Sequence, residues 1–522
     1  LNIILIGIIF SDPYQPLDIN FLKKEKKQTV LPPKKTSEKK SSFPAYEEVI
    51  KDYKKIEGLF NFYWNEDKHK LLISIKETQF DEIYLSNLTR QSGDAYYYDG
   101  ATLMGQIPFK FKKIANILQL IHVNVLFRAS EERAISKAVD NDFSDSIVAT
   151  SLQISMPSTE SGEILFDANK LFIKDLGNVS QHRKGRYKFD ITNSHFSDIN
   201  SFPENSELAI DVHYKSIKGT NSFTLPNSRS MIIKYHLSLS SLPNSDFKSR
   251  VLDDRVGYFA TIYQDYTNTL QETQYVRYID RWNLVKKDKS SGLSEPVKPI
   301  VFWIENKVPE EFRPAIREGA LAWNQAFERI GFKNAIVVKQ MPDDATWDPA
   351  DVRYNTIRWF IQPGSGYAVG PSRPNPFTGE IYDADVRISA DFVRGFYREF
   401  DEFVQPVTSD EIAYLWGQDI NEDILLHSPK NCEYATQLRE AMSLGWHNLI
   451  SQGIIQGTQV ELMDYVHKGL VDLVLHEVGH TLGLRHNFKA SSIFSIEQLS
   501  DKNFTEKYGV SGSVMDYHPV CL

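Results

Sequence analysis

Val471–Asn487 reads VDLVLHEVGHTLGLRHN, and this stretch decides how the C-terminal part of the chain folds. His476 and His480 stand four residues apart, so on a helix they share one face and can present two imidazoles to one ion. Gly483 suits a chain leaving the helix in a conformation closed to most side chains. The turn there swings His486 round as a third ligand. Three protein ligands leave one coordination position open for water, which is the arrangement of a catalytic Zn2+ site. Glu477 follows the first ligand and lies at the edge of the same side. Its carboxylate can take a proton from water that zinc has acidified to a pKa of roughly 7. Leu470, Val471, Val474, Leu475, Val478 and Leu482 are apolar, which predicts a stiff, buried helix that holds the ligands still. The other reading, an amphipathic helix with surface histidines, leaves the glycine and the third histidine unexplained at these offsets.

Downstream lies SGSVMDY, Ser511–Tyr517, with the pattern S-x-M-x-Y. H-E-x-x-H-x-x-G-x-x-H followed by this pattern resembles the metzincins, whose chain turns beneath the zinc at a methionine. The resemblance implies that Met515 forms an apolar floor under the three imidazoles. It also implies that Tyr517 is the zinc-proximal tyrosine whose hydroxyl helps stabilise the tetrahedral oxyanion, as in astacin-like and serralysin-like metzincins. A packing tyrosine is the other reading of the same residue. Asn487 follows the third histidine, where the best-known metzincin families carry other residues. The chain is more similar to a further group, the bacterial zinc-dependent metalloproteases of the metzincin clan with two uncharacterised N-terminal domains before the catalytic one. DDRVGYF (Asp253–Phe259), YAVGPSRPNPFTGEIYDADVRIS (Tyr367–Ser389) and HNFKASSIF (His486–Phe494) carry that likeness, from about Tyr46 onward.

This resemblance implies a zinc-dependent metalloendopeptidase with one catalytic Zn2+ and a peptide or protein substrate. Metzincins bind peptide as an extra antiparallel strand along the sheet edge above the zinc. Tyr367–Ser372, or the returning strand at Ile381–Ile388, would supply that edge. Asp383 and Asp385 bring too few oxygen ligands together for calcium and read as a solvated acidic turn. His427, His447, His467 and His518 lack spacing partners and read as ordinary histidines.

Outward from the zinc helix, the texture is alternating strands and helices back to about residue 300. Ile300–Glu305, Ala335–Met341 and Asn355–Ile361 read as strands. Glu310–Gly331 reads as one helix closed by its glycine, with Phe312, Ile316, Ala320, Trp323 and Phe327 as its core stripe. A long helical region is expected from about Ser409 to Ile450. Before residue 286 the pattern is period-2 runs separated by Asn, Gly, Pro and Ser, such as GEILFDA, LAIDVHYKS and SMIIKYHLSLS, which indicate antiparallel sheet. Tyr46–Phe60 has helical spacing instead. The expected class is therefore multidomain: a β-rich antiparallel N-terminal region followed by an α+β metzincin (zincin-like) catalytic domain. The divisions are a signal-peptide remnant and tail (1–22), a Lys/Pro/Ser linker (23–44), a small domain (45–93), a β-rich domain (94–285), a linker (286–299) and the catalytic domain (300–522).

Composition adds bounds. A net charge of -9 argues against a nucleic-acid binder. Two cysteines, Cys432 and Cys521, exclude a disulfide framework. The apolar run Leu1–Phe10 is too short to span a bilayer and reads as the tail of a signal peptide. This implies an exported protein, periplasmic, outer-membrane-associated or secreted in a Gram-negative bacterium, with membrane attachment only through that segment. Metzincin domains continue beyond the Met-turn with a helix, so the ending HPVCL suggests a C-terminally truncated chain. The competing function is an inactive zinc-binding fragment whose β-rich region acts as a surface binding module.

Overall fold

A computed structural model describes residues 43–517 apart from 96, 97, 99, 182–185, 221, 223, 244, 269, 271, 272, 363–365 and 395–433. The expectations for residues 1–42, for His427 and His518, and for the helical stretch before residue 434 lie outside the described residues. Among the described residues, no helix is long and apolar enough to cross a membrane.

The N-terminal region is β-rich and antiparallel. Its main sheet has eight strands. Seven run in the spatial order Lys188–Phe189, Asn205–Lys215, Ser230–Ser241, Tyr84–Ser92, Thr102–Ile114, Ile117–His122 and Ser146–Leu152, and His195–Ser201 also pairs with Asn205–Lys215. A four-stranded sheet (Lys54–Ile56, Asn61–Asn65, Lys70–Ile75, Ile164–Asp167) packs against it through one core that includes Phe62, Ile73, Phe109, Phe166 and Tyr235. The expected boundary at residue 93 runs through the larger sheet, because Tyr84–Ser92 before it pairs with Thr102–Ile114 after it. The expected helix over Tyr46–Phe60 is also shorter, Tyr46–Ile50. Lys54–Ile56 pairs instead with Phe62–Trp64, so a strand partner overrides the helical spacing there.

The C-terminal region is built on a five-stranded sheet: β1 (Ile300–Ile304), β2 (Ile336–Gln340), β3 (Asn355–Phe360), β4 (Ala368–Val369) and β5 (Val386–Ser389). The order is β2-β1-β3-β5-β4. All neighbours are parallel except β4, which runs antiparallel to β5 with Ala368 opposite Ile388. Of the two segments expected at the sheet edge, β4 ends the sheet. Val386–Ser389 is enclosed between β3 and β4.

Helix α1 (Arg313–Ala322) and the short α2 (Asn324–Arg329) take the place of the single expected helix, with a 3-10 turn at Glu310–Phe312 ahead of them. The break falls where Asn324 turns its amide to both the N–H and the carbonyl of Ile336 on β2. Helix α3 (Tyr434–Ser451) precedes α4 (Gln459–Thr481), the zinc-motif helix. Thr458 and Glu461 form a capping box at the start of α4, each satisfying a backbone N–H of the other. Helices α1 and α4 pack backbone to backbone: a Cβ on Gly319 would lie 2.6 Å from the Val471 carbonyl. Ile316, Ala320, Val466, Leu470, Leu473 and Val474 are in the core they share with the sheet.

Residues 286–299 do not behave as a free linker. Lys287 N–H donates to Glu295 (2.8 Å), Val297 N–H to Val285 (2.8 Å) and Ser294 N–H to Gly331 (3.1 Å), so the segment closes on itself and on the end of α2. Asp383 and Asp385 are likewise not solvated; each is 2% exposed. Arg373 donates to Asp383 at 2.8 Å, while Thr356 gives its N–H (2.8 Å) and hydroxyl (2.7 Å) to Asp385. Buried carboxylates need such partners, which here come from across the same hairpin for Asp383 and from β3 for Asp385.

Candidate metal centre

The last turns of α4 carry His476, Glu477 and His480. Helical pitch puts the two histidines on one face, as the spacing predicts. Three neighbours fix this end of the helix. The Trp323 indole donates to the Leu475 carbonyl (2.8 Å), and the Trp282 indole to that of Thr481 (2.9 Å). Gly370, just past β4, crosses so close that a Cβ on it would lie 2.0 Å from the Glu477 carbonyl. The sheet edge therefore runs directly against the zinc helix at Glu477, whose side chain is 0% exposed.

His476 Nδ1 lies 2.7 Å from the Val514 carbonyl, and His480 Nδ1 lies 2.8 Å from that of Leu484. A carbonyl can only accept, so both Nδ1 atoms carry the proton and both Nε2 atoms offer a lone pair. The chain leaves the helix at Gly483, where φ is +97°. That turn returns His486 to the site, with its Nε2 3.1 Å from that of His480. One ligating atom from each of the three histidines lies within 4.8 Å of the others. Two nitrogens bound tetrahedrally at 2.0–2.1 Å from zinc would stand about 3.3 Å apart. The donor set and its convergence thus fit a zinc ion held by three imidazoles. Burial pushes the His480 imidazole down to about 4, and lowers that of His486 too. Both are therefore neutral at pH 7, the form that binds metal.

Met515 is buried, 2% exposed, against the zinc-motif helix at Gly479. Its approach depends on Gly479, since a Cβ there would lie 2.3 Å from the Met515 sulfur. The Asn487 N–H donates to the Met515 carbonyl at 2.8 Å, tying the third-ligand loop to the Met-turn. Tyr517 brings its ring to 4.7 Å from that of His486 and 5.9 Å from that of His476. Tyr434 on α3 stacks on His476, with centroids 4.1 Å apart and planes at 21°, and its hydroxyl donates to Asp472. Of the remaining histidines, His467 faces Glu318 on the helix surface (2.9 Å), and His447 lies on α3.

Sequence reasoning missed Tyr434, Gly370, Gly479 and the upstream residues that touch the Gly483 turn. Only Gly479 carries a local signal, because a glycine inside a helix costs about 1 kcal/mol against alanine and so asks for a packing reason. The upstream contacts come from two places. Gly257–Phe259 lies beside Gly483–Arg485, with Tyr258 bridged to Leu484. A Cβ on Gly483 would lie 2.0 Å from the Asp280 carbonyl.

Asp280 is buried, and loss of solvent pushes its carboxyl up to about 6 against donation from the Thr261 hydroxyl at 2.7 Å. Its folded value lies above the unfolded one of about 3.9. The associated stability is therefore fully present below about pH 4 and is lost as pH rises through 6, by about 3 kcal/mol over the window. Unfolding free energies of the parent and Asp280→Asn, measured between pH 4 and 7, should diverge by that amount. Parallel profiles would contradict it.

Family models match two parts of this chain: a domain of unknown function (DUF5117) over residues 102–287, and Met-zincin over residues 458–522. No curated protein and no solved structure matches. The order, an uncharacterised domain and then a metzincin, agrees with the group that the sequence resembles.

Proposed function

We propose that this chain, which joins an uncharacterised β-rich domain to a metzincin domain, is a zinc-dependent metalloendopeptidase. One observation carries the reading: three imidazoles converge on one point, with the Glu477 carboxylate on the same helical turn beside them. Zinc held there by His476, His480 and His486 would supply an acidified water and polarise a peptide carbonyl. Glu477 acts as general base toward that water and passes the proton to the leaving amine. Its burial supports this role, since a carboxylate shielded from solvent stays on the reacting atoms. Tyr517 stabilises the oxyanion through its hydroxyl, a role supported by the ring's position against His486 and His476. The peptide substrate pairs with the outer edge of β4 as an added strand. The close passage of Gly370 over Glu477 supports this, because it brings that edge to the base. Export from the cell is part of this reading, supported by the apolar run Leu1–Phe10.

The test is cleavage of a mixed peptide library. The zinc-loaded chain should cut it, the chelator-stripped chain should not, and added zinc should restore cutting. A chain that holds one zinc yet cuts nothing would be a binding module. A chain that takes up no zinc would contradict the metal centre itself.

A further inference from the structure

We infer that the β-rich region ahead of the catalytic domain is a working part of the metal centre. Its Gly257–Phe259 segment clamps the turn between the second and third ligands, and Phe259 is a positioning residue for His480. The inference rests on the zinc reading above and assigns a role to the end of a domain that otherwise has none.

Two backbone hydrogen bonds and a bridge make the clamp. Phe259 N–H donates to the Gly483 carbonyl at 2.8 Å, and Arg485 N–H donates to the Gly257 carbonyl at 3.0 Å. Tyr258 and Leu484 form an antiparallel bridge between them. Asp280 N–H donates in turn to the Phe259 carbonyl at 2.9 Å, so a third segment backs the second. Gly483 lies on the Asp280 carbonyl so closely that no side chain fits. The whole exit from the zinc helix is thus seated on upstream backbone.

The consequence for the ligands is direct. The carbonyl that accepts from His480 Nδ1 belongs to Leu484, the residue bridged to Tyr258. The plane of the Leu484 carbonyl is held between the Gly483 and Arg485 bonds, so the clamp fixes the partner that sets the His480 tautomer and ring angle. The Phe259 ring adds a side-chain contact to the His480 ring, with centroids 5.8 Å apart. On its far side the loop is held by Asn487 and Met515. His486 therefore stands between two anchors, one on the Met-turn and one on the upstream domain.

The experiment uses the full chain and reads zinc affinity by competition with a chromophoric chelator, together with the visible absorption of the Co2+-substituted protein. Phe259→Ala leaves the backbone clamp in place and removes only the ring against His480, so it should weaken zinc binding by up to about tenfold, the low end of the cost of disturbing a ligand's surroundings, and should shift the Co2+ bands. Phe259→Tyr should restore both. Phe259→Pro removes the N–H to Gly483 and should weaken binding further; if it fails to fold by circular dichroism, the alanine and tyrosine variants decide. Arg255→Ala changes an exposed side chain paired with Asp253 in the same stretch and should leave affinity within about twofold. A folded Phe259→Ala chain with parental affinity and unshifted Co2+ bands overturns the inference alone. A parent that takes up no zinc overturns the metal centre, and this inference with it.

Discussion

Glu477→Gln is expected to lower kcat by about 10³-fold while zinc content stays equal to that of the parent. The amide has the size and shape of the carboxylate, so the packing around a fully buried side chain is kept. The three imidazoles do not involve Glu477, so the metal should remain. What is lost is the ability to accept and return a proton. Metal analysis and steady-state kinetics on a cleaved library peptide check both halves. Activity within tenfold of the parent would remove Glu477 as the base. Loss of zinc would instead give it a structural role.

The largest effect on stability is expected at Arg373. The residue is 3% exposed, and its side chain donates to Asp383 (2.8 Å), to the Leu88 carbonyl (3.0 Å) and to the Thr89 hydroxyl (2.7 Å). It therefore joins the hairpin after β4 to the large N-terminal sheet. Burial pushes the Asp383 carboxyl above the usual range, Arg373 pulls it back, and Asp385 adds to the upward push. Arg373→Met leaves the carboxyl and two acceptors of the sheet without their donor. Breaking a buried pair in this way typically costs about 3–5 kcal/mol. Urea unfolding followed by tryptophan fluorescence should show a loss of about 3 kcal/mol or more, and Arg373→Met with Asp383→Asn should recover part of it. A loss under about 1 kcal/mol would mean that the contact between the regions does not depend on this pair.

The zinc site was legible in the sequence because its ligands are local. His476, Glu477 and His480 lie on one helix, and Gly483 and His486 follow at fixed offsets. Strands such as Asn205–Lys215 and β1 were legible from period-2 or apolar runs. What the sequence hid is what depends on distant partners. Tyr46–Phe60 carries helical spacing, but the pairing partner of Lys54–Ile56 is a strand that spacing does not show. Asp383 and Asp385 look like a solvated turn until Arg373 and Thr356 are brought to them. Residues 286–299 have a linker's composition, yet their N–H groups close onto Val285, Glu295 and Gly331. DDRVGYF was recognisable as a shared stretch, but nothing in its residue types indicates that it would meet Gly483.

The pairing of Tyr258 with Leu484 also bears on the order in which the protein assembles. The two residues lie nearly half the chain apart, and contacts of such long range close late, because loop entropy must be overcome first. During synthesis the upstream segment Gly257–Phe259 emerges first and stays unpaired until the turn after the zinc-motif helix has been made. The helix with its two histidines rests on local contacts, whereas the turn that carries His486 waits on this long-range pairing. Formation of the third-ligand turn is thus tied to completion of the long-range fold.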